Sequence, residues 1–288
     1  MAETSQIDKV AFTGSTATGR SILSAAAQSN LKKCTLELGG KSPQIVMNDA
    51  DVEEAAAWTA DGIFLNSGQN CEYQPSCRSA LLTASGAAGS RIYVHKDVYE
   101  RFLSEFKAAA KKIVVGDPFQ KGSFQGPQIS KVQFDKIMAY IQSARDEGAT
   151  IETGGARHGD KGFFIEPTII TDVTKSHTVM REEIFGPVVV IATFENVEDV
   201  IDEANDSAYG LAAGIHSANM QKALVVARKL EAGSVYLNCY NRVHHQMPFG
   251  GYKSSGIGRE LGSYALENYT QVKSIHLNLA FSKPTLKL

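Results

Sequence analysis

The stretch that decides the fold is VVVIATFENVEDVIDEANDSAYGLAAGI, residues 188–215. Residues 188–194 form a short, β-branched, apolar run that predicts a buried strand. Residues 197–204 then repeat apolar side chains at helical spacing, and 211–215 form a second apolar run. Strand, helix and strand in this order make a βαβ unit. The unit predicts a layered α/β fold built on a mainly parallel sheet.

The same alternation continues on both sides of this unit. Strands are predicted at 9–13, 34–38, 45–47, 91–94 and 234–237. Helices are predicted at 20–29, at 52–63, from Asp97 as N-cap through Ile113, from Ser130 to just before Gly148, and at 219–230. We therefore expect one extended α/β arrangement rather than a repeat or an all-helical bundle.

Composition excludes several classes of function. The 288 residues are 43% hydrophobic, as in a globular protein, and 29 Lys and Arg face 31 Asp and Glu. Without a basic excess, binding to nucleic acid is not expected. The apolar runs are too short to cross a membrane, and the N-terminus has no apolar signal region. Four cysteines and seven histidines show no metal-binding spacing, so we expect no metal and a reducing, cytoplasmic setting, with mitochondria the alternative.

A glycine-bounded loop, GSTATG at 14–19, lies between a predicted strand and a predicted helix. Such a loop serves either as a structural turn or as a phosphate site at a helix N-terminus. It also has the outline of a P-loop, but Arg20 and Ser21 stand where Lys followed by Ser or Thr is required. From these residues alone both interpretations stay open.

One cysteine and one glutamate are candidates for catalysis. Cys71 follows the polar, turn-rich stretch 66–70, where backbone donors could stabilise a thiolate. Cys34 and Cys239 lie in or beside apolar strands and are interpreted as structural. Glu37 alternates with Leu36 and faces the other side of its strand, as either a general base or a solvated carboxylate.

Six motifs in order resemble the aldehyde dehydrogenase superfamily, and the resemblance runs from about residue 8 to the C-terminus. The motifs are FTGST at 12–16, LELGGKSP at 36–43, GQNC at 68–71, EIFGP at 183–187, NCYN at 238–241 and PFGGYK at 248–253. The chain is most similar to NAD-dependent members that oxidise unhindered aliphatic aldehydes. The resemblance implies a catalytic domain with a Rossmann-like layered sheet, preceded by a remnant of the cofactor domain.

The resemblance also implies a covalent mechanism. Cys71 would attack the aldehyde carbon, hydride transfer to NAD would leave a thioester, and Glu37 would activate the water that hydrolyses it. NADP is the alternative cofactor. The backbone N–H of Cys71 would help to stabilise the oxyanion.

The cofactor and substrate residues follow from the same motifs. Glu183 would hold the nicotinamide ribose, Phe185 would pack beside it, and Phe249 would form a wall of the aldehyde pocket. The expected pyrophosphate loop and its neighbour are Gly14, Ser15, Thr16, Ala17, Thr18, Gly19 and Leu38.

The domain boundaries also follow from the resemblance. We expect a remnant of the NAD-binding domain at 1–38, a catalytic α/β domain at 39–254 and a bridging and oligomerisation tail at 255–288, giving a homodimer or homotetramer. The larger N-terminal part of the family is not expected in this chain. Residues 72–87 stand where the family has one residue before AGSR at 88–91, so they are predicted to be an insertion, by hypothesis a retained intron.

Two other functions stay open from the sequence. In the first, the chain is inactive, a non-catalytic truncated fragment that binds an intact family member. In the second, the loop at 14–19 makes the chain a P-loop nucleotide-binding module.

Overall fold

A computed structural model describes residues 1–70 and 88–279. Its strands are β1 (Lys9–Thr13), β2 (Lys33–Glu37), β3 (Pro43–Val46), β4 (Arg91–His95), β5 (Thr150–Thr153), β6 (Thr168–Thr171), β7 (Val188–Phe194), β8 (Ala212–His216), β9 (Ser234–Leu237) and β10 (Gly256–Ile257). Its α-helices are α1 (Thr16–Gln28), α2 (Val52–Phe64), α3 (Tyr99–Lys111), α4 (Lys131–Asp146), α5 (Thr178–Arg181), α6 (Val197–Asn205) and α7 (Met220–Lys229).

The larger sheet contains seven strands in the order β5-β6-β7-β4-β3-β8-β9. Every neighbouring pair is parallel except β5 and β6 at one edge. The stretch 188–215 forms β7, α6 and the start of β8 in this one sheet, which confirms the predicted βαβ unit and the α/β fold.

The larger sheet is apolar on both faces, as a parallel sheet covered by helices must be. Successive residues of one strand enter opposite cores: Ile45 and Val190 belong to one cluster, and Val46 and Val189 to the other. All four side chains are essentially inaccessible to solvent. The strands therefore provide a rigid base for the loops that precede β3, β4, β7 and β8.

The smaller sheet has three strands, with β2 in the middle. β1 pairs with β2 in parallel, and β10 pairs with it antiparallel. At the end of β2, the Gly14 N–H donates to the carbonyl of Glu37 (3.0 Å) and the Leu38 N–H to the carbonyl of Ser255 (2.9 Å). The glycine loop and the end of β2 are thus fixed side by side.

Several predicted helix starts agree with the structure. The Ser130 Oγ accepts from the Gln133 N–H (3.2 Å) and the Asn219 Oδ1 from the Lys222 N–H (3.0 Å), so both side chains cap helices that were predicted to begin at these positions. Gly148, just past α4, has a left-handed φ of 88°.

Other boundaries were predicted wrongly. Helix α1 begins at Thr16 rather than Arg20, because the Ser15 Oγ accepts from the Thr18 N–H (3.2 Å) and starts the helix inside the predicted loop. Asp97 does not cap α3; a 3₁₀ turn at Lys96–Val98 precedes that helix.

The described end of the chain, 269–279, leaves apolar side chains in solvent. Ile275, Leu277 and Leu279 are at least three-quarters exposed, and none of them pairs in a strand of the described chain. The role of the tail in joining subunits remains a prediction. None of the described helices is long and apolar enough to span a membrane.

Candidate active site

Three loops carrying sequence motifs meet where β2 of the smaller sheet ends and the strands β3, β4 and β7 of the larger sheet begin. The Gly40 N–H donates to Glu183 Oε1 (2.9 Å), which joins the loop after β2 to the loop before β7. Gly68, at the end of the turn after α2, packs against the carbonyl of Gly186. The three loops enclose a cavity of about 20 Å³, whose lining includes Gly40, Gly68, Asn70 and Glu183. Motifs far apart in sequence therefore form one site.

Two glycines are required for this convergence. A Cβ on Gly39 would lie 2.4 Å from Glu183 Oε2, so a side chain there would displace the carboxylate. Gly68 has φ +70°, and its Cβ would lie 2.0 Å from the Gly186 carbonyl oxygen. The second contact is with backbone and has no flexible atom that could yield.

Gly68→Ala is therefore expected to lower the free energy of unfolding by about 3–5 kcal/mol, since left-handed strain adds to a backbone clash. Urea denaturation measures the loss. Gly148→Ala is the matched control, because Gly148 also has a positive φ but its Cβ would meet no atom within 4 Å. We expect about 1–2 kcal/mol there. Equal losses in the two variants would show that the close approach of Gly68 to Gly186 does not contribute to the loss of stability.

Glu183 is held at the centre of the site in an unfavourable setting for charge. Burial raises the pKa of its carboxyl group, while the hydrogen bond from Gly40 and the amines of Lys136 and Lys41 act in the opposite direction. A carboxylate with one oxygen fixed by a backbone donor can present the other to a ligand hydroxyl. This geometry fits the ribose contact predicted for Glu183.

The loop that carries Glu183 is positioned by helix α4. Gln133 Nε2 donates to the carbonyls of Ile184 (3.0 Å) and Phe185 (2.8 Å). Phe185 itself has a left-handed φ of 57°, which the double hydrogen bond supports. Sequence reasoning missed Gln133 and Lys136, although their i, i+3 spacing on α4 places both on one side of the helix.

The predicted cofactor loop is the N-terminal end of α1. Ser15 is its N-cap, and the first turn, Thr16, Ala17 and Thr18, carries the backbone N–H groups that a helix offers to phosphate. Gly19 lets Leu38 approach, since a Cβ there would lie 2.4 Å from Leu38 Cδ2. The helix N-terminus offers N–H donors that fit a diphosphate, and the buried Glu183 carboxylate offers an acceptor that fits a ribose hydroxyl. Together these groups fit a dinucleotide.

Of the two predicted catalytic residues, Glu37 is among the residues that the structure describes and Cys71 is not. Glu37 is half-buried at the end of β2, opposite Thr13 of β1 and Gly256 of β10. Cys71 and the predicted insertion at 72–87 lie outside the described residues. The preceding residue, Asn70, is buried; its Nδ2 donates to the Leu65 carbonyl (2.8 Å), and its Oδ1 has no partner among the described residues. Asn70 also lines the cavity shared by the three loops.

The remaining predicted residues are placed as follows. Phe249 is buried in an apolar cluster with Leu211 and Tyr240. Of these three, Leu211 also lines the cavity between the loops. Cys34 and Cys239 are half-buried free thiols, and burial raises the pKa of Cys239, in keeping with a structural role. No group of three or more metal-ligating side chains occurs among residues 1–70 and 88–279.

A family model described as the aldehyde dehydrogenase family matches residues 1–275. Among curated relatives, an aldehyde dehydrogenase of Davidiella tassiana is 57% identical over 273 residues, 95% of this chain and 52% of that protein. A mitochondrial benzaldehyde dehydrogenase of Antirrhinum majus is 49% identical over 269 residues, 93% of this chain and 48% of that protein.

A solved structure of an aldehyde dehydrogenase from Bacillus cereus in complex with NAD⁺ is also similar. Its TM-score is 0.89 at 47% identity, covering 96% of this chain and 53% of that one. The chain therefore spans about half the length of the relatives that it matches.

Proposed function

Because the chain belongs to the aldehyde dehydrogenase family, a family of oxidoreductases, we propose that it carries the catalytic half of an NAD-dependent oxidation of an aldehyde to a carboxylic acid. The observation that carries the proposal is the hydrogen bond from Gly40 to Glu183. It joins the segment that contains Glu37 to the segment that contains Glu183, beside a cavity that is also lined by Asn70, the last described residue before Cys71 in the sequence.

In the proposed reaction Cys71 is the nucleophile. Its thiolate attacks the aldehyde carbon and gives a thiohemiacetal, with the oxyanion stabilised by the Cys71 N–H. NAD, when bound, accepts the hydride from that carbon. The product of this step is a thioester on Cys71.

Glu37 acts in the second half of the reaction. As general base it takes a proton from the water that attacks the thioester, which releases the carboxylic acid and the free thiol. Its strand is paired on both sides, so the carboxylate projects from a fixed backbone position.

NAD is proposed as the cofactor, since a structural neighbour at 47% identity is an NAD⁺ complex. The first turn of α1 would bind the diphosphate, and Glu183 would accept from the nicotinamide ribose, with Phe185 packed beside it. NADP stays the alternative. The substrate class is a small aldehyde, with Phe249 in the pocket wall.

Replacing Glu183 with Gln tests the cofactor site. We expect NAD to bind about 10–100-fold more weakly, because a charge-assisted hydrogen bond worth about 1.5–3 kcal/mol is lost. Isothermal titration calorimetry measures the change. Glu182→Gln is the matched control, because it changes the neighbouring carboxylate in the same way. Glu182 accepts a hydrogen bond from the Tyr140 hydroxyl (2.7 Å), whereas the Gly40 N–H donates to Glu183. Equal weakening in both variants would contradict the ribose assignment.

The domain scheme and assembly are part of the proposal. Residues 1–38 belong to a cofactor domain, 39–254 to the catalytic domain with 72–87 inserted, and 255–288 to a tail that joins subunits into a dimer or tetramer. The exposed apolar side chains of the tail support this role. The competing proposal is a non-catalytic fragment that binds an intact family member.

A further inference from the structure

Lys41 directly follows the Gly39-Gly40 turn and is an unusual lysine. Only 1% of its surface is accessible, and its Nζ has no hydrogen-bond partner among the described residues. A buried amine is normally hydrogen-bonded or paired with a carboxylate. The proposed mechanism gives Lys41 no role, so its burial calls for an explanation.

The surroundings of the amine leave few partners. The residue Lys41 lines a cavity of about 10 Å³, room for one water-sized group, together with Arg91, Tyr209 and Glu231. The Arg91 guanidinium is engaged by backbone, donating to the carbonyls of Lys41 (2.8 Å) and Ala204 (2.9 Å).

Glu231, although it lines the same cavity, is already paired. Its Oε2 lies 2.5 Å from Lys253 Nζ. The negative charges that attract the Lys41 amine are those of Glu183 and Glu182. Of these two, the carboxylate of Glu183 is bound by the residue next to Lys41, since Gly40 donates to its Oε1.

We propose that Lys41 is a positioning residue for Glu183: its buried ammonium keeps the Glu183 carboxylate ionised and seated on the Gly40 N–H. This inference rests on the proposed cofactor role of Glu183 and extends it to a residue that contacts neither cofactor nor substrate in the proposed mechanism. The coupling itself is a property of the protein alone, so it can be measured without NAD.

The electrostatics give the coupling a direction. Burial and the nearby Arg91 charge lower the pKa of Lys41 to about 7, while Glu183 and Glu182 raise it. By reciprocity the Lys41 charge lowers the pKa of Glu183, as the Gly40 hydrogen bond and the Lys136 amine also do, whereas burial raises it. Lys41 is protonated below about pH 7, so its charge acts on Glu183 in that range and is lost above it.

The test uses Lys41→Met and follows two readouts on the protein without NAD. Carbon-13 NMR of labelled glutamate carboxyl groups, assigned with Glu183→Gln, is expected to show that the pKa of Glu183 rises in Lys41→Met. Hydrogen exchange of the Gly40 amide is expected to become at least about 10-fold faster at mildly acidic pH, because a neutral carboxyl is a weaker acceptor.

Lys32→Met is the matched control for the loss of a buried lysine. Its amine is hydrogen-bonded to Ser29 Oγ (2.5 Å) and the Ala2 carbonyl (2.6 Å), away from Glu183. We expect Lys32→Met to leave the Glu183 titration and the Gly40 exchange unchanged. If the titration of Glu183 is the same in the wild type and in Lys41→Met, the proposal is wrong.

A third readout covers the case in which Lys41→Met folds poorly. In Glu183→Gln the pKa of Lys41 should fall below its wild-type value, as measured by carbon-13 NMR of the lysine side chain. No fall would overturn the coupling.

The pH dependence of the wild-type free energy of unfolding also reports the pKa of Lys41. Since the folded-state pKa of Lys41 lies below the unfolded value, the unfolded chain binds more protons, and stability rises from about pH 7 to about pH 10. Lys41→Met should lose this rise.

NAD titration separates this inference from the proposed function. If the titrations of Lys41 and Glu183 are coupled but the wild type does not bind NAD, the Lys41 proposal stands and the cofactor assignment is wrong. The same conclusion follows if the titrations are coupled and NAD binds equally well to the wild type and to Glu183→Gln. Binding with normal Glu183 dependence and no coupling would overturn the Lys41 proposal alone.

Discussion

Cys71→Ala is expected to reduce acylation of the protein by an activated ester, such as p-nitrophenyl acetate, by at least about 10³-fold, because removal of a covalent nucleophile leaves only weak residual catalysis. The ester tests the thiol and the oxyanion donor without hydride transfer. The burst of p-nitrophenol on rapid mixing measures the acylation rate, and intact-protein mass spectrometry counts the acyl groups.

Two other cysteines supply the controls for this prediction. Cys34→Ala and Cys239→Ala remove half-buried thiols, one in β2 and one after β9, that the mechanism does not use. Each should keep the full burst. If the burst survives in Cys71→Ala and disappears in either control, the nucleophile has been misassigned.

Glu37→Gln is expected to separate the two halves of the reaction. Acylation of Cys71 should proceed at close to the wild-type rate, while hydrolysis of the acyl group should slow by about 10²–10⁴-fold, the usual contribution of a general base. The acylated protein should therefore accumulate. A time course of intact mass after the burst measures the hydrolysis rate directly.

Glu260→Gln is the matched control for Glu37→Gln. Glu260 is a carboxylate beside the same sheet, where it accepts from the Thr35 Oγ1 (3.1 Å), but the mechanism gives it no part in hydrolysis. We expect wild-type hydrolysis of the acyl group in this variant. Equal slowing in the two variants would mean that Glu37 acts on the stability of the sheet rather than on water.

Hydrophobic pattern was enough to predict five of the seven strands of the larger sheet. The runs at 188–194 and 234–237 became β7 and β9 with the predicted bounds. The pattern is strongest in β7, because a strand buried on both faces is apolar along most of its length. Strands β5 (Thr150–Thr153) and β6 (Thr168–Thr171) were missed because they are short, threonine-bounded segments. Their pairing, β5 with β6 and β6 with β7, crosses the segments between the strands. Such pairing is a tertiary effect that a local pattern does not record.

The candidate site was predictable in its motifs and not in its contacts. The motifs identified Glu183 and the Gly39-Gly40 turn separately, but their hydrogen bond spans 143 positions of the chain and needs coordinates. Lys41 lies within the LELGGKSP motif at 36–43, but no role was predicted for it, because nothing local indicates that a lysine will be fully buried. Gln133 was missed for the same reason, since its partners lie in another loop.

The proposed mechanism requires Cys71 and Glu37 to act in one covalent cycle on an aldehyde, and peptide mapping tests this requirement. Glu37→Gln protein is incubated with NAD and a short aliphatic aldehyde, quenched and digested. We expect an acyl group on the peptide that contains Cys71, an equal amount of reduced nicotinamide, and neither product in the double variant Cys71→Ala with Glu37→Gln. No acyl group and no reduced nicotinamide, or an adduct on Cys34 or Cys239 instead, would contradict this mechanism and favour the non-catalytic fragment.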